Sequence, residues 1–236
     1  MKRLAAACLA VVAYSLPTAA CLAIVASSAP VARAAWTEGQ DYVLLRPPQN
    51  TTVLAGKVEV MEVFSYGCPA CNNFQPVMNK LKRSLPANVQ FVLLPAAFNT
   101  SEDWPMFQRA FFAAQSLGIA DRTHAAMFDA VWNTGELAIA DPATHHLKNP
   151  QPSIQDAARF YSRAAGVKPE AFLAAANSFQ VDSKIRAADT QIAAMKVPGT
   201  PCIVVNGKYR VDMQAVHSTD ELVDLIKFLV AKESAG

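Results

Sequence analysis

The run Val58-Glu59-Val60-Met61-Glu62-Val63-Phe64 constrains the fold more than any other segment. Most positions on both of its faces are apolar, which predicts a strand inside a sheet that is covered on both sides. Ser65-Tyr66-Gly67 then leads into Cys68-Pro69-Ala70-Cys71. Residues 69–83 have helical spacing, with Phe74, Val77, Met78 and Leu81 on one face and Pro69 suited to the first turn. Pro76 is expected to kink this helix. A buried strand that runs straight into a helix places two cysteines at a helix N-terminus. Unsatisfied N–H groups and about half a positive charge favour an anion there.

The remaining pattern sorts into two kinds. Tyr42 to Leu45 predicts an edge strand stopped by Pro47-Pro48, and Val89 to Leu94 a second buried strand. From Trp104 to Lys196 the chain is rich in alanine and phenylalanine at helical spacing, with helices expected near 104–117, 121–133, 154–165, 169–178 and 181–195. Gly118 and Gly166 are candidate C-caps, and Ser153 with Asp156 a candidate N-terminal cap. Cys202 to Val205, the turn Asn206-Gly207 and residues 208–212 predict a hairpin, and Ser218-Thr219-Asp220 starts a last helix. Strand, helix, strand, helical block, hairpin, helix is the order of an α/β fold with a large helical insertion, spanning 99–198. Such an insertion could shape a groove beside the cysteines.

Residues 1–34 read as a signal peptide. Lys2 and Arg3 precede an uncharged, mostly apolar stretch from Leu4 to Val31, and Ala32-Arg33-Ala34 fits a cleavage site. The stretch approaches transmembrane length, so an uncleaved N-terminal anchor is the alternative. Taking Lys2, Arg3 and Arg33 from the 21 basic residues leaves 18 against 19 acids, so the formal charge of +2 belongs to the leader. Nothing here points to nucleic-acid binding. Cys8 and Cys21 fall in the apolar leader, which leaves Cys68, Cys71 and Cys202 in an exported, disulfide-permissive chain.

The pair has a division of labour. As N-cap, Cys68 faces the helix N–H groups, so its thiolate is favoured and it is the candidate nucleophile. Cys71, almost a turn further in, is the candidate resolving thiol. Glu62 stands in the apolar run before the pair and is a candidate for taking the Cys71 proton. The alternative places Glu62 on an exposed edge or against a lysine such as Lys57. Far along the chain, Gly199-Thr200-Pro201-Cys202 predicts a cis proline beside the sulfurs, with the Thr200 backbone open to an extended substrate. Cys202 is expected to pack in its strand, with a third redox thiol as the sharper alternative. A metal site made of Cys68, Cys71, Cys202 and one of His124, His145, His146 or His217 is the competing chemistry. A structural disulfide closing so short a loop would add little stability. The aromatic and methionine residues of the helical block are expected mostly in the core, and His145-His146 in an exposed loop.

Three segments resemble the DsbA family of thiol:disulfide oxidoreductases: Glu62 to Cys71, Trp104 to Trp132, and Thr200 to Tyr209. The resemblance implies a thioredoxin-like fold, contributed by residues 35–98 and 199–236 around the insertion. It implies a periplasmic, monomeric enzyme without a cofactor, in which Pro69, Ala70 and Thr200 meet the substrate. That enzyme donates disulfides to unfolded or reduced exported proteins, and a DsbB-type membrane oxidase restores it. Two positions depart from the best-known motif. Ala70 stands where that motif has histidine, which predicts a less oxidising enzyme. Thr200 stands where it has valine and resembles the DsbC-type isomerases, so a reductase or isomerase is the alternative. Only 33 positions separate Ala35 from Cys68, too few for an isomerase's dimerisation domain.

Overall fold

A computed structural model describes residues 36–234. The expected leader, its cleavage site, Cys8 and Cys21 lie outside the described residues. The elements are β1 (Tyr42–Leu44), β2 (Val58–Phe64), α1 (Pro69–Ser84), β3 (Val89–Pro95), α2 (Trp104–Ser116), α3 (Ala120–Trp132), α4 (Ile154–Ala165), α5 (Pro169–Ala176), α6 (Phe179–Ala194), β4 (Cys202–Val205), β5 (Tyr209–Val211) and α7 (Thr219–Ser234). The sheet order is β1-β5-β4-β2-β3, with β2 and β3 parallel and the other neighbours antiparallel.

β2 is buried at every position, as its composition requires. Alternation along the strand divides the core. Val58 and Val60 pack with Met78 and Leu81 of α1 and with Leu222 and Ile226 of α7. Met61 and Val63 belong to the cluster formed with the inserted helices. Glu62, two residues after Val60, shares the α1 face.

Local chemistry sets the element ends. Ser153 and Asp156 form a reciprocal capping box on α4, and Gly166 closes that helix in the left-handed conformation. Gly118 is also left-handed, one residue after the C-cap Leu117 of α2. α1 continues through Pro76, whose missing N–H removes one rung of its ladder. The hairpin turn spans three residues, because β5 begins only at Tyr209. Asn206 and Gly207 both have positive φ. A Cβ on Gly207 would stand 2.1 Å from the Gln49 carbonyl oxygen, so glycine is required there. Glu233 of α7 fastens the hairpin by accepting from Asn206, from Lys208 at 2.6 Å and from the Tyr209 hydroxyl at 2.9 Å.

Candidate active site

Cys68 caps α1. Its φ of −89° and ψ of 116° are extended, and its Sγ accepts from the Cys71 N–H at 3.4 Å. The same sulfur donates to the Thr200 carbonyl oxygen at 3.4 Å. Cys68, Cys71 and Cys202 are free thiols. The hydrogen bond from the Cys71 side chain is the largest influence on Cys68 and holds its pKa down at about 6. Burial opposes this, while the Thr200 side chain and the N–H groups of Ala70 and Cys71 add to it. The Thr200 hydroxyl is buried without a partner, free to turn toward a thiolate. The same exchange with Cys68 pushes the Cys71 thiol far up, and burial adds to that. One sulfur is therefore ionised at neutral pH and its partner protonated, the asymmetry that thiol exchange requires. Pro69 and Ala70 are exposed on the first turn beside Cys68.

Glu62 is fully buried and neither carboxylate oxygen has a hydrogen-bond partner. Burial raises its pKa to about 8, with the Lys82 ammonium opposing the rise and the charge of Cys68 adding to it. Glu62 therefore carries a proton at neutral pH. Lys57 does not pair with it and donates instead to the Ala87 carbonyl at 2.8 Å. The exposed-edge alternative is likewise excluded by burial. Glu59, the other acid of β2, is also buried, but one of its oxygens accepts from the N–H and hydroxyl of Thr52.

The Thr200-Pro201 peptide is cis. Pro198, Thr200, Pro201, Cys202, Arg210 and Asp212 line a groove of about 440 Å³ beside it. Cys202 is buried in β4 opposite Val63, and burial pushes its thiol up to about 11. It packs as an apolar residue and has no thiolate at neutral pH. Among the described residues, no group of three or more His, Cys, Asp or Glu side chains is placed to hold a metal. His124 is buried in the insertion with its Nδ1 on the Tyr66 hydroxyl, and His145 and His146 are exposed. The three-thiol metal site thus lacks its geometry.

A family model described as a DSBA-like thioredoxin domain matches residues 59–227. The chain belongs to the DsbA family. The thiol:disulfide interchange protein DsbA of Pseudomonas aeruginosa is 34% identical over 201 residues, covering 85% of this chain and 87% of that protein. The crystal structure of the oxidoreductase DsbA from Xylella fastidiosa aligns with a TM-score of 0.73 at 34% identity, over 85% of this chain and 98% of that one. The crystal structure of Pseudomonas aeruginosa DsbA gives a TM-score of 0.70 at 34% identity, over 85% and 95%. This protein is a DsbA-family thiol:disulfide oxidoreductase with a thioredoxin-like fold and a helical insertion.

Several residues that hold the site escaped sequence reasoning. Tyr66 is buried between β2 and the inserted helices, and its carbonyl accepts from Trp132 Nε1 at 2.8 Å. Gly67 lies so close to Trp104 that a Cβ would come within 2.6 Å of the indole. The glycine directly before Cys68 was the one signal available. His124 carried none, since a lone histidine in a helix is uninformative. Of the aromatic residues of the helical block expected mostly in the core, Trp104, Phe107, Phe111, Phe112 and Phe128 are buried, whereas Trp132 stands 37% exposed.

Proposed function

We propose that this enzyme works as a periplasmic oxidase, passing a Cys68–Cys71 disulfide to reduced, unfolded exported proteins. The thiolate preference of Cys68 carries this reading, because a stable leaving thiolate makes a disulfide oxidising. A client thiolate attacks Cys68 Sγ, the Cys68–Cys71 bond breaks, and Cys71 leaves and takes a proton. A second client thiolate then attacks the client sulfur of the mixed disulfide and releases Cys68 as a thiolate. Glu62, protonated and on the α1 face, suits the role of proton donor to Cys71 in this direction and acceptor in reverse. The Thr200 backbone, Pro69 and Ala70 border the sulfur and are the surfaces a client strand would meet. A DsbB-type membrane oxidase regenerates the disulfide, and the leader directs export, with cleavage before Ala35.

A Cys68 pKa of about 6 falls between those of DsbA, about 3.5, and thioredoxin, about 7. Equilibration with glutathione should therefore give a potential between about −120 and −270 mV. The oxidised enzyme should lose its disulfide stoichiometrically to a reduced, unfolded protein. A potential at or below that of thioredoxin, with no net oxidation of such a client, would replace the oxidase by a reductase. Ala70 and Thr200 are the residues that favour that second reading. Cell fractionation and N-terminal sequencing test the location and the start at Ala35, and a retained leader would favour the anchor.

A further inference from the structure

Ser65-Tyr66-Gly67 is all that separates the buried end of β2 from the Cys68 cap. Each residue of this connection is held from a different direction. The Ser65 carbonyl accepts from the Cys68 N–H at 3.2 Å, and its hydroxyl accepts from the Gly67 N–H at 3.2 Å. The Tyr66 ring packs against Phe64 and Phe128 with centroids 5.1 and 5.0 Å away, and its hydroxyl lies 3.0 Å from His124 Nδ1. The Tyr66 carbonyl takes the Trp132 N–H, and Gly67 abuts Trp104. Trp104 begins α2, while His124 and Trp132 lie on α3. The inserted helices thus grip the strand-to-helix connection directly behind the nucleophile.

His124 is an expensive residue for that place. Its ring is buried among Phe64, Tyr66 and Phe128, and its Nε2 has no partner. Burial, with a smaller contribution from the Lys82 ammonium, drives its pKa down to about 3, so it is neutral. An apolar side chain of similar volume would fill the space without desolvating an imidazole. What histidine adds there is one directed hydrogen bond to Tyr66.

The sulfur is sensitive to such control. Its contact to the Cys71 N–H, a backbone donor that favours the thiolate, is 3.4 Å, so a shift of a few tenths of an ångström in the connection weakens it. We propose that His124 is a positioning residue that acts through Tyr66, holding Cys68 Sγ at the α1 N-terminus and so setting the acidity of the nucleophile. The inference rests on thiol exchange at Cys68 and holds for either direction of electron flow.

The test compares His124→Leu, His124→Gln and Tyr66→Phe with the unaltered enzyme. The thiolate absorbance of the reduced protein near 240 nm is followed against pH, with circular dichroism and a thermal melt to confirm folding. His124→Leu and Tyr66→Phe should raise the Cys68 midpoint enough to leave about three- to tenfold less thiolate at pH 5. The double variant should add nothing beyond Tyr66→Phe, which removes the bond to His124 together with the hydroxyl's interaction with Tyr161. His124→Gln, which keeps a hydrogen-bonding group, should restore most of the thiolate. Midpoints that match the unaltered enzyme in folded Tyr66→Phe protein, even with a lowered melting temperature, would overturn the proposal. They would leave His124 a packing residue and the redox function untouched.

Discussion

Cys68 Sγ lies 3.4 Å from the carbonyl oxygen of Thr200, a residue 132 positions further along the chain. The helical block between them therefore ends where it began, at the same end of the sheet. Because β2 and β4 run antiparallel, with Val63 opposite Cys202, the end of one and the start of the other meet. Strand register brings Cys68 and the cis-proline segment together, and the inserted helices pack behind Cys68 against Tyr66 and Gly67.

The acidity of Cys68 should depend most on Cys71. Alkylation of the reduced enzyme should rise about tenfold for each pH unit below the midpoint and level off above about pH 7, reporting the midpoint near 6. Cys71→Ala removes the largest stabilising contact and should raise that midpoint by about one pH unit, while Cys71→Ser, which keeps a donor, should raise it less. Midpoints unchanged from the unaltered enzyme in both variants would assign the effect to the helix alone. Since the folded pKa lies below the ordinary value of 9.0, the reduced fold gains its full stability above pH 9. It loses that gain as the pH falls to about 6.

Glu62 should weaken the fold as the pH rises. The unfolded carboxyl ionises near pH 4.5 and the folded one near 8, so the penalty grows between these values and is constant above them. At pH 7 it amounts to about 3 kcal/mol. Glu62→Leu should therefore stabilise the enzyme by about 1–3 kcal/mol in urea denaturation at pH 7, and not at pH 4. The same variant should slow release of Cys71. A stabilisation independent of pH would point to packing instead of charge.

Gly67→Ala should cost about 1–3 kcal/mol, because the added methyl meets the Trp104 indole at 2.6 Å and Ile139 at 3.1 Å. A lower melting temperature with a shifted tryptophan emission would report it. An unchanged melt would show that Trp104 yields freely.

Glu233→Ala should cost a similar amount, about 1–3 kcal/mol, since three donors from the β4–β5 hairpin converge on that carboxylate. Hydrogen exchange should speed up at Lys208 and Tyr209 before it does in β2. Uniform acceleration across the sheet would contradict a local role.

Much of this was legible from local pattern. β2, α1 and the boundaries of α4 follow from apolar periodicity and capping chemistry, which act over a few residues. The cysteine pair announced its own chemistry, because a helix N-terminus does the same thing to a thiol wherever it occurs. The hairpin was displaced by one residue at β5, since its register answers to the Gln49 backbone packed against Gly207.

The sequence by itself determined the order of elements and the place of the cysteine pair at a helix N-terminus, and left the surroundings of Glu62 open between a buried face and an exposed edge. Only the tertiary structure decided what surrounds them. That Glu62 has no partner, that Cys202 is sealed in β4, and that His124 reaches Tyr66 across 58 positions are facts of long-range packing. Periodicity records which face of an element is buried, but not which side chain waits on the other side.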